Sequence, residues 1–328
     1  MKSHKAIWTL VVLLLIAAMA AGAIFALADT GESVLPESET GSETISSEEE
    51  WGSTIIENGV TYRLDPALKT VLFLGVDDGG SRSETIAGSG GRADTVMVLI
   101  LNDEKKTVTL LSISRDTMTE VDAYGTDGSY AYSSVTHINM QYAYGDSPAR
   151  SAYLMKKTVS ELLYGTRIDG YLSLESKGIR EAVDALGGLR LTMPEDYSDI
   201  DPKYEKGVDV ILSGEETERL LRYRDTRTVG SNETRVERHL RLIEAVFREL
   251  GGRIGVTKLR EIMDAAGDAI SSDLDAETLK KLASYSLEEE VFTLPGTVRE
   301  GEDHDEFYVD ETALRKLLIG LFYKPTES

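Results

Sequence analysis

Cysteine is absent from this 328-residue chain, and histidine occurs only four times. Without a thiol there is no disulfide framework, no Cys-ligated zinc or iron–sulfur centre and no thiol nucleophile. The histidines are scattered and none sits in an HExxH pattern, so the common zinc-hydrolase signature is missing. GxSxG, GxxxxGK[ST] and GxGxxG are missing too, which removes the usual serine-hydrolase, P-loop and dinucleotide signatures. Basic residues are scarce: 35 Lys+Arg stand against 57 Asp+Glu, for a net charge of −22. Nucleic-acid binding needs a basic face to neutralise phosphates, so no nucleic-acid partner is expected.

What is present starts with a long apolar run. Residues 6–28 (AIWTLVVLLLIAAMAAGAIFALA) carry no charge, and a helix of that length crosses the roughly 30 Å hydrocarbon core of a bilayer. Lys2 and Lys5 precede it, whereas Asp29, Glu32, Glu37 and Glu39 follow. The positive-inside rule puts residues 1–5 in the cytoplasm and the remainder outside. A cleaved signal peptide ending at Ala26-Leu27-Ala28 is the rival reading, but the run is long for an h-region. Residues 29–66 read as an acidic linker. Its clearest part, residues 29–53, is rich in Ser, Glu, Thr and Gly and has too little apolar surface to offset the entropy of ordering.

The rest, residues 67–324, reads as one α/β domain. Thr70–Val76, Thr95–Leu101 and Thr107–Ile113 are short apolar runs typical of buried strands. The polar turn at 102–106 joins the last two as a hairpin, so the sheet is mixed. Helical patterns at about 148–163, 176–186, 214–224, 233–250, 256–270, 275–285 and 310–322 alternate with strand candidates at 171–174, 189–193, 208–212 and 291–294. Helices interleaved with strands predict a three-layer α-β-α domain around a central mixed β-sheet, preceded by one N-terminal transmembrane helix.

Two charged constellations stand out. Between Gly207 and Thr257 there are nine Arg and no Lys, including Arg222, Arg224, Arg227, Arg235, Arg238 and Arg241. The planar guanidinium fork suits phosphate or carboxylate; the same arginines also suit a solvated helix face paired with neighbouring Glu. Carboxylates mark the strand ends. Asp77 and Asp78 follow the first strand, Asp94 follows Arg92 into the second, and Asp116 follows Arg115 after the third. Such residues hold a hard cation or simply cap turns. Ser112 and Ser114 lie close to Arg115, and His137 is the histidine that folding could bring to them.

In order along the chain, VLFLGVD (71–77), GRADTVMVLILN (91–102), LLSISRDT (110–117), HINMQYAYGD (137–146), VDALGGL (183–189), RYRDT (222–226) and RVERH (235–239) resemble the LytR-CpsA-Psr family, as does the ending at 292–314. That family attaches glycopolymers to the bacterial cell wall. The resemblance spans about 70–323 and implies a polyprenyl-diphosphate-linked glycan donor, a peptidoglycan acceptor, a membrane location and Mg²⁺. It implies Asp77 and Asp94 as metal carboxylates, with Asp78 an alternative to Asp77, and Arg92 beside them in the chemistry. Arg115, Arg222, Arg224, Arg235 and Arg238 match the pyrophosphate clamp, and Asp116 completes the RDT motif. His239, Asn232, Ser114 and Asp146 depart from the family's usual Gln, Asp, Pro and Gly, and bear on donor and acceptor preference. A polyprenyl-diphosphate hydrolase and a non-catalytic lipid-phosphate-binding scaffold use the same groups and stay open as alternatives.

Overall fold

The computed structural model describes residues 54–77, 87–223, 261, 264–275, 277–278, 281–282, 285–301 and 304–326. The chain opens with a hairpin, β1 (Thr54–Glu57) and β2 (Val60–Leu64). Asn58 and Gly59 join them with φ of 50° and 77°, the left-handed pair of a tight hairpin turn. Then come β3 (Leu68–Val76), β4 (Ala93–Asn102) and β5 (Thr107–Ile113), and a second hairpin of β6 (Met118–Tyr124) and β7 (Tyr130–His137). A 3₁₀ turn (Ile138–Tyr144) leads into α1 (Pro148–Leu162), β8 (Gly170–Glu175) and α2 (Ser176–Leu186). After β9 (Leu189–Thr192), β10 (Asp209–Leu212) and α3 (Gly214–Arg222), a short 3₁₀ turn (Gly267–Ala269) leads into β11 (Ile270–Ser272). β12 (Ser286–Thr293), β13 (Gly296–Glu300), β14 (Asp305–Val309), α4 (Glu311–Phe322) and β15 (Tyr323–Pro325) complete the order.

The helix ends are set locally. Ser147 caps α1 by accepting from the Arg150 N–H, with Pro148 following it. Ser213 and Glu216 form a capping box on α3, and Gly187 at φ 96° ends α2.

Six strands form the central sheet in the order β11-β8-β3-β4-β5-β12. β3 is antiparallel to β4 and parallel to β8, and β5 is antiparallel to β4 and parallel to β12, so the sheet is mixed as expected. Its central strands are apolar on both faces because both faces are buried. Leu72, Leu74, Val76, Val96, Val98 and Ile113 face one way and pack with Met155 and Val159 of α1 and Leu314 and Leu318 of α4. Val71, Phe73, Met97, Leu99 and Leu110 face the other way, with Leu282 and Val291. The helices expected to cover this second face fall largely outside the described residues. A satellite core joins α2, α3, β9 and β10 through Val183, Leu191, Tyr204 and Leu220.

The expected linker at 29–66 needs correction at its far end. Residues 54–64 are paired strands, with Ile55 buried in the main core, and β15 pairs with β2, tying the end of the domain to its start. The helix expected at 256–270 stops earlier, because Ile270 already pairs with Leu174 of β8. The apolar run at 6–28 lies outside the described residues. Among the described residues no helix is long and apolar enough to cross a membrane.

Candidate functional site

The register of the central sheet brings the expected groups together. In β4–β5, Val96 pairs with Ile113. Continuing that antiparallel register past the paired residues puts Asp94 opposite Arg115. The side chains complete the match: Arg115 Nη1 donates to Asp94 Oδ1 at 2.7 Å, and Arg115 Nε lies 3.4 Å from Asp116 Oδ1. In β3–β4, Gly75 pairs with Thr95, but a bulge then pairs Val76 with Ala93. The shift sets Asp77 opposite Arg92, and they exchange two bonds: the Asp77 N–H donates to the Arg92 carbonyl at 3.0 Å, and the Arg92 N–H donates to Asp77 Oδ1 at 2.7 Å. A bulge beside a functional site re-aims side chains in this way.

Gly91 is what allows so close an approach. A Cβ there would lie 2.5 Å from the Asp77 carbonyl oxygen and 2.8 Å from Val76 Cγ1. The loop leading to Arg92 is held from the other side, since the Gly90 N–H donates to the Ala143 carbonyl. Gly88, at φ 71°, lies against the Tyr144 ring, whose hydroxyl burial pushes above the usual phenol range, with Tyr132 adding to the shift. Beyond β5, the buried Thr117 accepts the Ile138 N–H through its carbonyl, and the Asp116 carbonyl accepts the Phe307 N–H. β3 and β8 are parallel, so their carboxyl ends share this edge. Ser176, first residue of α2, donates its hydroxyl to the Val76 carbonyl at 3.0 Å, which brings a helix N-terminus and its positive dipole end to the cluster.

Asp77, Arg92, Asp94, Arg115 and Asp116 therefore line one edge of the sheet. The Arg115 and Asp94 side chains are about a quarter and a third exposed, at 26% and 33%. The pair is open enough to meet a ligand and structured enough to hold its place. α3 ends at Arg222. The Arg222 side chain and Asp78, Arg224, Arg235 and Arg238 lie outside the described residues, as do His239 and Asn232. The serine reading finds no hydrogen-bonded base: Nε2 of His137 has no hydrogen-bond partner, and Ser114 Oγ accepts from the Asp116 N–H. The segment 138–144 is mostly packing, with Ile138 and Tyr142 fully buried.

Residues 40–318 match the profile of the LytR_cpsA_psr family. The chain belongs to that family. Among LytR-CpsA-Psr relatives it is 32% identical over 215 residues to TagU of Halalkalibacterium halodurans, a protein named polyisoprenyl-teichoic acid–peptidoglycan teichoic acid transferase; the match covers 66% of this chain and 64% of that one. TagV of Bacillus subtilis, named for the same transfer, is 26% identical over 211 residues, covering 62% of this chain and 49% of that one. Matches to three TagU relatives span between 61% and 64% of their length. The fold is shared with solved LytR-CpsA-Psr-like structures. The B. subtilis TagV crystal structure aligns with a TM-score of 0.54 at 23% identity, covering 79% of this chain and 97% of that one. TagT bound to LI-WTA aligns with a TM-score of 0.52 at 22% identity, covering 78% and 90%.

The sheet register is the signal that sequence reading left unused. The turn at 102–106, once taken as a hairpin, already implies that Asp94 faces Arg115 across it. The Asp77–Arg92 pairing was hidden, because nothing in the apolar pattern marks the bulge.

Proposed function

We propose that the chain is a membrane-anchored phosphotransferase of the bacterial cell envelope. It joins a polyprenyl-diphosphate-linked glycopolymer to peptidoglycan through a phosphodiester bond. The observation that carries this reading is the juxtaposition of the Asp77–Arg92 and Asp94–Arg115 pairs at one end of three neighbouring strands, beside the start of α2. The relatives named for transfer between a polyisoprenyl-linked teichoic acid and peptidoglycan support the substrate class. Residues 6–28 serve as the anchor, with the N-terminus cytoplasmic and the domain outside, which keeps the enzyme at the leaflet holding its lipid donor.

The chemistry follows from the residue types. Arg115, joined by Arg222, Arg224, Arg235 and Arg238, binds the non-bridging oxygens of the diphosphate through planar forks. A peptidoglycan hydroxyl attacks the sugar-linked phosphorus. The bond from that phosphorus to the bridging oxygen breaks, and the electron pair leaves with polyprenyl phosphate. The hydroxyl proton passes to a carboxylate of the cluster, Asp94 or Asp77. Arg92 sits at the reacting end, where negative charge builds up and fixed donors are most effective. No enzyme nucleophile is needed.

Asp77 and Asp94 are also the residues that hold Mg²⁺ in this reading. Among the described residues no group of three or more acidic or histidine side chains converges. Two carboxylates suit an ion that keeps several waters and takes phosphate oxygens from its substrate. When bound, Mg²⁺ supplies charge neutralisation for the diphosphate.

The test is a transfer assay with the purified full chain, a synthetic polyprenyl-diphosphate glycan and peptidoglycan strands, with Mg²⁺ or EDTA. The expected result is a Mg²⁺-dependent glycan–peptidoglycan phosphodiester, lost in Arg92→Ala and Asp94→Ala. Release of polyprenyl phosphate in the presence of acceptor, with no joined product, would replace the transferase with a hydrolase.

A further inference from the structure

The β6–β7 hairpin has one closed edge and one open edge. In its register Thr119 pairs with Thr136, Val121 with Ser134 and Asp122 with Ser133. The Ile138 N–H donates to the Thr117 carbonyl at 2.8 Å, one step beyond the Met118–His137 pair. Hydrogen-bonded pairs alternate with non-bonded ones in an antiparallel ladder, so Ser134 and Thr136 turn their backbone groups toward β6. Ser133, Val135 and His137 turn theirs outward. The far edge of β6 shows the same alternation. Asp122, opposite Ser133, directs its N–H to Gln141 Oε1 at 2.9 Å and accepts at its carbonyl from Gln141 Nε2 at 3.0 Å. A buried side-chain amide stands there in place of a neighbouring strand. Among the described residues no strand pairs with the outer edge of β7, and the outward N–H groups of Ser133 and Val135 make no backbone hydrogen bond.

Open strand edges invite pairing, and proteins blunt them with charge, proline, bulges or brevity. The other described edges are treated in this way. β12 carries Glu288, Glu289 and Glu290 at a register shift, β15 has Lys324 and Pro325, and β13 has Arg299 and Glu300. β9 and β10 carry Arg190 and Asp209, while β1 and β11 are only four and three residues long. β7 runs for eight residues, YAYSSVTH, with neither charge nor proline, and its register shift lies at the turn end. No Asp, Glu, Lys or Arg occurs from Gly128 to Gly145, in a chain that is 28% charged. We infer that β7 is a self-association edge, where two copies of this chain pair antiparallel about a two-fold axis. Ser133 exchanges hydrogen bonds with Val135 of the second copy, and Ser134 faces its own counterpart. Charge selects a like copy: at −22 the chains repel, and a neutral edge is where they meet without like charges face to face. An isologous contact needs only the same edge twice, with no complementary charge. Because Gln141 closes the far edge of β6, the ribbon β6-β7-β7-β6 stops growing instead of extending into a fibre. The inference does not depend on the transferase reading.

The chain has no native cysteine, so one introduced thiol reports the pairing. Full-length chain in detergent solution carries Ser134→Cys, and Ser198→Cys, exposed between β9 and β10, is the control. Facing residues of a non-hydrogen-bonded antiparallel pair bring their Cβ atoms within reach of a disulfide. Under mild oxidation Ser134→Cys is expected to form a covalent dimer about fivefold or more faster than the control. Adding Val135→Pro removes an outward donor and leaves the ladder to β6 intact. Adding Val135→Lys supplies the charge that other edges carry. Each is expected to slow cross-linking about fivefold or more, with melting temperature confirming the fold. Cross-linking no faster than the control, or unchanged in a folded Val135→Pro chain, would overturn the proposal. A Ser134→Cys thiol that neither cross-links nor reacts with a maleimide would show the edge covered by another segment of the chain, and would overturn it too. A thiol slow to cross-link but shielded by an added Thr-Val repeat peptide would overturn it in favour of a foreign strand.

Discussion

Two arginine–carboxylate pairs in this molecule sit in different surroundings. Arg180 of α2 reaches Glu218 of α3 with both Nε and Nη2 on the same oxygen. Glu218 is 5% exposed and sits beside the satellite core. Arg115 reaches Asp94 across the ends of β4 and β5, where both side chains remain open. The functional groups are the same and only their surroundings differ. The helix pair is anchored over packed apolar residues and locks two elements together. The strand-end pair sits where the sheet stops, its Arg and Asp positioned by backbone register instead of by burial. In the helix pair it is the carboxylate that is buried, with Arg180 about half exposed at 48%, so breaking it takes charge-assisted donors from a group shielded from water; an open pair costs little to break and can exchange partners with a ligand.

The comparison can be broken by mutation. The largest effect is expected at the open pair: Arg115→Ala should lower transfer about 10²–10³-fold, as loss of a transition-state donor does, while the melting temperature moves by only about 2 °C. Next comes the helix pair. Arg180→Ala removes two charge-assisted donors from the buried Glu218 carboxylate and should cost about 1–3 kcal/mol of stability, read by denaturant unfolding, with transfer by the folded fraction unchanged within about twofold. Gly91→Ala joins the two cases. Its Cβ meets the Asp77 carbonyl at 2.5 Å, so the strand ends must part. About tenfold loss of transfer and about 1–2 kcal/mol of stability are expected.

The smallest effect concerns a third pair. Asp122 of β6 is held below the usual carboxylate range by hydrogen bonds from Lys157 and Ser133, against the opposing effect of burial. A carboxyl with a depressed folded pKa contributes stability above its unfolded value, about 3.9, and loses it as the pH falls through the lower folded value. Asp122→Asn should therefore flatten the acid side of the stability–pH profile below about pH 4 and leave neutral-pH transfer intact. An unchanged acid limb would show that this pair does not titrate as described.

Much of this was legible in the sequence, and the missing parts have physical reasons. The central strands announced themselves because Thr70–Val76 and Thr95–Leu101 are buried on both faces and so are almost wholly apolar. The helices 176–186 and 214–222 carried their own caps. The hairpin β6–β7 was missed because much of β7 faces solvent, leaving Tyr, Ser and Thr where a buried strand shows Val and Leu. The first hairpin was taken for linker because a short edge strand buries few residues, although Asn58-Gly59 was a turn signal in plain view. For the candidate site, residue types were readable, and so was the facing of Asp94 and Arg115 once the turn at 102–106 was recognised. The facing of Asp77 and Arg92 was not, because it depends on a one-residue shift between Gly75 and Val76.

The account stands on the claim that the strand-end cluster performs chemistry and the helix pair holds the fold. The direct measurement is transfer rate and unfolding free energy on the same preparations of Asp94→Asn and Arg180→Ala. The account predicts a crossed result: Asp94→Asn loses transfer and keeps its stability, and Arg180→Ala loses stability and keeps its transfer. Wild-type transfer by a folded Asp94→Asn chain would contradict it.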